Sequence, residues 1–204
     1  MKAIIFDWSG TLVNNVPQFY SVVKKIFETY KREIISLEEV RENFTLPYMK
    51  FYEKYIPEMS QETQNVIFKK EIQKQPLPKL YPGVLEILKE IKNKQYTIFV
   101  VSSDHKETIL NEVKQLGAEE FIEKIFPDVY TKSPTLKMII SKYNLNMDQS
   151  FYVGDTSGDV EAGKESNLPT IGISWGYQSK NKLKLSNPDY LIDNILDIKK
   201  IIQL

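Results

Sequence analysis

The chain contains no cysteine and a single histidine, His105. Those two absences remove disulfides, thiolate nucleophiles, thiolate metal sites and any multi-histidine metal centre. Charge of one sign is also missing in excess, since 27 Lys and Arg stand against 27 Asp and Glu. Nothing in that balance calls for nucleic acid or an anionic membrane as a partner. No apolar run approaches the ~18 residues of a membrane-spanning helix. No signal-peptide pattern precedes the strand-like run from Ala3, so a cytoplasmic location is the expectation. Internal repeats and low-complexity tracts are absent too. What is there is an ordinary globular composition, 42% hydrophobic and 26% charged over 204 residues. That is enough for one substantial core with a small appended lobe.

Short β-rich runs recur between helical patterns: "AIIFDW", "YTIFVVSS", "DVYT", "SFYVGD", "PTIGIS" and "DYLI". Amphipathic stretches at 84–93, 106–116, 134–143 and 159–166 lie between them. In the first of these Val84, Leu85, Leu88 and Ile91 fall at helical spacing. The runs at 3–6 and 98–101 are continuously apolar, as strands covered on both faces require. Strand–helix alternation predicts an α/β fold with a parallel sheet and right-handed crossovers. The alternation breaks from about 16 to 79, where no strand is evident. Phe19, Val22, Val23, Ile26, Phe27 and Tyr30 make one helical stripe, with further helical patterns near 36–43, 47–55 and 60–74. "QPLPKLYPG" reads as an extended return, because its prolines exclude helix. The expected organisation is a core from 1–15 and 80–204 with a helical lobe, 16–79, inserted after the first strand.

Ligands of parallel α/β sheets bind beyond the carboxyl ends of the strands. Asp7 ends the first run, and Asp155 ends "FYVGD" with Asp159 four residues on. Acids on neighbouring strand ends repel unless a cation lies between them, and oxygen-only ligands suit Mg²⁺. The plainer reading of Asp155 is a turn residue, with Thr156 capping the next helix. In "DWSGT" a carboxylate, backbone N–H groups and a hydroxyl share one strand tip, with N–H groups placed for anionic oxygen. "IFVVSS" ends on Ser102 and Ser103, suited to a phosphate, although Asp104 with Glu107 also makes a capping box for the following helix. Lys132 precedes a Ser-Pro helix start. An isolated lysine is ordinarily a solvated surface residue. An acid, a hydroxyl, a lysine and an acid pair, each at the end of a β-run, are a different matter.

In that order the motifs resemble those of the haloacid dehalogenase superfamily, in its phosphatase branch with a helical cap. "FDWSGTL" matches the first motif, Ser102 the second, Lys132 in "TKSPT" the third and "GDTSGD" the fourth. "LYPGVLEILKEIK", "LPTIGISWGY" and "NPDYLIDNILDI" are similar to family segments between and after them. The resemblance implies a doubly wound, Rossmann-like sheet with the first strand central and the 16–79 insertion as cap. It implies Asp7 as nucleophile toward a small phosphorylated metabolite, forming an aspartyl-phosphate. It implies Mg²⁺ held by Asp7, the Ser9 carbonyl, Asp155 and Asp159. Ser102, Ser103, Gly10 and Thr11 would bind the phosphoryl group, and Lys132 would offset its charge, with Lys137 a weaker substitute. The acids of "GDTSGD" argue against a dehalogenase.

The chain departs from that pattern at Ser9, where the family's phosphatases carry a second, acid/base aspartate. A free hydroxyl is a poor acid and a poor base, and general acid–base catalysis is worth on the order of 10²–10⁴-fold. Three readings follow. One is a phosphatase in which Ser9 stands in the acid/base position, with Ser9 placing a water or a cap residue such as Glu53 supplying the acid. Another is a P–C bond hydrolase resembling phosphonoacetaldehyde hydrolases, with Lys50 or Lys54 forming a Schiff base. The third is a phosphate-binding or regulatory protein with little turnover. Phe44, Tyr48, Phe51, Tyr52 and Tyr55 are candidates for an aromatic substrate floor or for the core of the lobe itself.

Overall fold

The computed structural model describes residues 1–202. The chain opens with β1 (Ala3–Phe6) and a short β2 (Val13–Asn14). Four helices follow: α1 (Val16–Thr29), α2 (Leu37–Asn43), α3 (Met49–Tyr55) and α4 (Gln61–Ile72). Next come β3 (Lys79–Leu80), α5 (Val84–Asn93), β4 (Thr97–Val101), α6 (Lys106–Gln115), β5 (Lys124–Phe126) and α7 (Lys132–Tyr143). The chain then runs through β6 (Phe151–Gly154), α8 (Ser157–Glu165), β7 (Thr170–Ile173), α9 (Lys180–Leu185), β8 (Tyr190–Ile192) and α10 (Ile198–Ile201).

Six strands form one parallel sheet in the order β5-β4-β1-β6-β7-β8, so β1 lies centrally between β4 and β6. Parallel neighbours need long crossovers, which the helices supply. Alternate residues of β1 go to opposite faces. Ile4 and Phe6 pack with Ile87, Leu88 and Ile91 of α5 and Ile109 of α6, whereas Ala3 and Ile5 pack with Leu136 and Ile139 of α7 and Ala162 of α8. This is the α/β, doubly wound, Rossmann-like arrangement. Each fully buried aliphatic side chain in these layers stabilises the fold by about 1.5–3 kcal/mol.

The helices between β2 and β3 carry a hydrophobic cluster of their own, centred on Val22, Val23, Ile26 and Phe27 of α1 with Val40, Phe51, Tyr52 and Ile56. Ser36 and Ser60 cap α2 and α4 by accepting the N–H groups of Glu39 and Thr63. The two crossings between this cluster and the sheet are joined to each other, since β2 and β3 pair antiparallel, Val13 with Leu80 and Asn14 with Lys79. Sequence reading finds no strand there because two residues carry no periodicity.

Two local expectations fail. The strand assigned to "DVYT" lies earlier, at Lys124–Phe126. Pro127 has no N–H to continue a ladder, and Asp128 sits in the left-handed region at φ 57°. The N–H groups of Asp128 and Val129 instead donate to the carbonyls of Asp104 and Ser102, at 2.9 Å each, and clamp that loop. The capping box assigned to Asp104 and Glu107 is also absent. The helix begins at Lys106 after His105, with no side-chain cap, because the Asp104 carboxylate is taken by hydroxyls elsewhere.

Trp8 fixes the loop after β1. Its ring is fully buried, and its indole N–H donates to Glu112 Oε2 at 2.7 Å. The Trp8 carbonyl accepts N–H bonds from Thr11, Leu12 and Val13, which folds the following residues into a tight turn. Trp8→Phe is expected to lower unfolding stability by about 2–4 kcal/mol, from lost packing plus a buried carboxylate stripped of its donor. Glu112→Gln keeps an acceptor and should cost under about 1 kcal/mol. Denaturant titration of the two variants checks this, and equal losses would refute it.

Candidate active site

The carboxyl ends of β1, β4 and β6 meet at one edge of the sheet, and the sequence-nominated residues converge there. The Asp7 N–H donates to the Val153 carbonyl at 2.8 Å, which extends the β1–β6 ladder by one residue and holds the carboxylate in place. Thr11 Oγ1 lies 3.2 Å from Asp7 Oδ2 and 3.4 Å from Asp155 Oδ1, and so bridges the two acids. Asp7, Asp155 and Asp159 each place a carboxylate oxygen within 4.8 Å of the others, and all three are buried. Gly10 lets the turn close over them. Its φ is +77°, and a Cβ there would sit 2.5 Å from both Asp155 Oδ2 and the Tyr177 ring.

Lys132, the first residue of α7, reaches into this cluster. Its Nζ donates to Asp7 Oδ1 at 2.7 Å and to Asp159 Oδ1 at 2.6 Å. Asp159 is held from every side: Tyr152 donates its hydroxyl to Oδ1 at 2.8 Å, while the Thr156 hydroxyl and N–H donate to Oδ2. Thr156 and Asp159 thus form a capping box for α8, and Asp155 accepts the Tyr177 N–H at 2.5 Å. The plain turn-and-cap reading of this stretch and its site reading both hold, for adjacent residues. Lys137 lies exposed along α7, away from the acids.

At the end of β4, Ser102 is buried and donates to Asp104 Oδ2 at 2.9 Å, whereas the neighbouring Ser103 is exposed. Asp104 also accepts a hydrogen bond from Ser9 Oγ at 2.5 Å. Asn15 completes that group, donating its amide to Ser9 Oγ at 2.7 Å. The Asn15 carbonyl oxygen accepts from the Gly10 N–H and the Tyr177 hydroxyl.

Electrostatics explain what such a cluster demands. Burial pushes Asp7 up to about 7, against the pull of Lys132. Burial first, and then the negative charges of Asp7 and Asp159, push Asp155 well above the carboxylate range. Asp159 goes the other way: burial opposes its charge, but Lys132 and the Thr156 and Tyr152 hydroxyls hold it below the usual range. For Lys132 burial opposes the charge too, yet Asp159 and Asp7 hold the ammonium well above its ordinary value. Three buried carboxylates therefore share one lysine. An excess of buried negative charge is costly unless paired. Among the described residues no backbone N–H is directed at the Ser9 carbonyl, so that oxygen is also open to a cation. An all-oxygen donor set of this size fits a hard divalent ion such as Mg²⁺.

The inserted helices lie against this edge. Gln178, in the loop after β7, donates its amide to the Phe44 carbonyl at 3.0 Å and accepts the Ser157 N–H at 2.6 Å. Arg41 of α2 donates to the carbonyls of Ser174 and Gln178. The rings of Phe19 and Phe44 pack on Tyr177, with centroids 5.1 and 5.3 Å away. Of the nominated aromatics, only Phe44 joins this contact with the sheet edge. Phe51 and Tyr52 belong to the cluster inside the lobe, with Tyr48 and Tyr55 packed against it. Glu53 and Lys50 are exposed, and Lys54 donates to Asn43.

Asp104, Asn15, Tyr152 and Tyr177 are the residues that sequence reasoning misses. Tyr177 sits inside the quoted segment "LPTIGISWGY", which is the one signal that points to it. Among the described residues no helix is long and apolar enough to cross a membrane.

The comparisons with known proteins bear on the whole chain. Over its full length it is similar to the pyrophosphatase PpaX of Oceanobacillus iheyensis, 24% identical over 99% of this chain and 97% of that protein. PpaX of Listeria innocua is 23% identical over 100% and 97%. Among solved structures, a haloacid dehalogenase-like family hydrolase from Streptococcus pneumoniae superposes with a TM-score of 0.82 at 19% identity, covering 100% of this chain and 99% of that one. A predicted phosphoglycolate phosphatase from Haemophilus somnus gives 0.78 at 20% identity, covering 98% and 97%. The family model for haloacid dehalogenase-like hydrolases matches residues 4–173, from the first strand through the strand beyond the acids, and the chain belongs to that family.

Proposed function

We propose that this chain is an Mg²⁺-dependent phosphatase acting on a small phosphorylated metabolite through an aspartyl-phosphate on Asp7. The observation that carries the reading is the buried group of Asp7, Asp155 and Asp159 with Lys132 between two of them. In this reading Asp7 attacks phosphorus, and Lys132 spreads its charge over the phosphoryl oxygens. Ser102, Ser103, Thr11 and the Gly10 backbone receive those oxygens. Asp7, Asp155 and the Ser9 carbonyl would hold Mg²⁺, with Asp159 orienting Lys132 and the site's edge. Bound there, the ion would neutralise charge building on the phosphoryl group. Residues 16–79 serve as the cap domain over a core of 1–15 and 80–204. The paired β2 and β3 form its hinge, a natural place for closure over substrate.

The names of the relatives make pyrophosphate and phosphoglycolate substrates to try. P–C bond cleavage is supported less, because Lys50 is exposed and Lys54 is engaged by Asn43, with neither reaching Asp7 among the described contacts. The test is phosphate release from a panel of aryl, acyl and sugar phosphates, pyrophosphate, phosphoglycolate and phosphonoacetaldehyde. Turnover of at least one phosphate ester or anhydride with Mg²⁺, and none with a chelator, is expected. Turnover of phosphonoacetaldehyde alone, or of nothing, would overturn the assignment.

A further inference from the structure

The proposed phosphatase lacks the family's acid/base carboxylate at position 9, and another carboxylate stands behind Ser9. We infer that Asp104 is the proton acceptor and donor for both half-reactions, working through the Ser9 hydroxyl. This rests on the phosphatase reading above and goes beyond it. The hydrogen-bond directions fix the relay. Asn15 presents its carbonyl oxygen to two donors, the Gly10 N–H and the Tyr177 hydroxyl, so its NH₂ group must point at Ser9 Oγ. Ser9 therefore accepts from Asn15 and has its own proton free for one partner, Asp104 Oδ2, at 2.5 Å. One lone pair of the hydroxyl remains to receive a proton.

Asp104 is suited to that part. It is half-buried, and no lysine or arginine pairs with it among the described residues, unlike Asp7 and Asp159, whose charges Lys132 holds. The Ser9 and Ser102 hydroxyls both donate to its Oδ2, which leaves Oδ1 without a donor among the described residues. Its backbone is set by the Asp128 N–H on its carbonyl and by its own N–H on Ser102 Oγ. Glu53, the cap residue nominated from sequence, offers none of these contacts.

The steps balance. In the first, an Asp7 oxygen bonds to phosphorus as the bond to the leaving oxygen breaks. That oxygen keeps the electron pair and takes the Ser9 proton, which Asp104 replaces. In the second, water attacks phosphorus and the bond to Asp7 breaks, returning its electron pair to the carboxylate. The water proton passes to Ser9 as the Ser9 proton passes to Asp104. Ester and water become alcohol and phosphate, with Asp7, Ser9 and Asp104 restored. A serine backed by a carboxylate is thus a workable substitute for the family's aspartate.

The decisive measurement separates the half-reactions with an aryl phosphate, whose leaving group needs no proton. Asp104→Asn should give a burst of one equivalent of phenolate per enzyme, then a steady state slowed on the order of 10²–10⁴-fold. Phosphate should accumulate on the protein as an acid-stable, hydroxylamine-labile label. Ser9→Ala should do the same, while Asp104→Glu, or Ser9→Asp placed in the Asp104→Asn background, should restore breakdown at least tenfold. Wild-type rates should depend weakly on leaving-group pKa and Asp104→Asn rates steeply. If Asp104→Asn matches wild type, or slows formation and breakdown alike with no burst, Asp104 only shapes the loop and the inference falls alone. If wild type hydrolyses no phosphate compound, the phosphatase reading falls and takes the inference with it.

Discussion

Asp7→Asn is expected to reduce phosphate release on the order of 10⁴–10⁶-fold, the scale of removing an enzyme's nucleophile. The asparagine amide is almost the same size and can still accept from the Thr11 hydroxyl, which lies 3.2 Å from Asp7 Oδ2. What it cannot do is attack phosphorus with a carboxylate oxygen, and its nitrogen faces a cation. The side chain is 5% exposed and its backbone N–H remains tied to Val153, so the loop has no reason to move. Removing one negative charge from a buried cluster of three also relieves repulsion, so loss of activity should not come with loss of fold. Thermal melting of the metal-free variant should match or exceed wild type. Steady-state rates on the best substrate, with an aryl phosphate as the sensitive probe, decide the matter. A variant keeping more than a tenth of wild-type turnover would remove Asp7 from the chemistry.

The parts of this molecule that are legible in sequence are those set by short-range pattern or by position at a strand end. Continuous apolar runs at 3–6 and 98–101 foretell strands covered on both faces, and Val84, Leu88 and Ile91 do lie on the buried face of α5. Asp7, Asp155 and Asp159 stand out because the carboxyl edge of a parallel sheet gathers whatever ends its strands. Asp104 misleads for the opposite reason. Its spacing to Glu107 is that of a capping box, a local rule, but its partners are a hydroxyl 95 residues away and the one at Ser102. Tertiary hydrogen bonds outcompete the local one. The misplaced strand near 128 has a similar origin: Val, Tyr and Thr favour strands, but the chain has already turned at Pro127 and Asp128. Asn15 and Tyr177 carry no pattern at all, since their roles come from where β2 and the loop after β7 meet.

Mg²⁺ is expected to raise the melting temperature of the wild-type protein and to do nothing for Asp155→Asn. Asp155 is 1% exposed, and burial together with the charges of Asp7 and Asp159 drives its carboxylate toward the protonated form. A divalent ion between these oxygens replaces repulsion with attraction, and the unfolded chain offers no such site. Binding linkage then gives about 2.7 kcal/mol at a hundred times the dissociation constant, or a rise of roughly 5–10 °C for a chain of this size. In the variant, the substituted amide oxygen can still accept the Tyr177 N–H and so keep the loop in place. Without the carboxylate the ion loses a ligand and the empty cluster loses a repulsive charge. The variant's metal-free melting temperature should therefore equal or exceed wild type, while its Mg²⁺-dependent rise disappears and its turnover falls. Paired melting curves with Mg²⁺ and with chelator read the stability effects without any assay of activity. A wild-type curve unmoved by millimolar Mg²⁺, or an Asp155→Asn curve that still shifts, would mean that the three acids do not hold the ion.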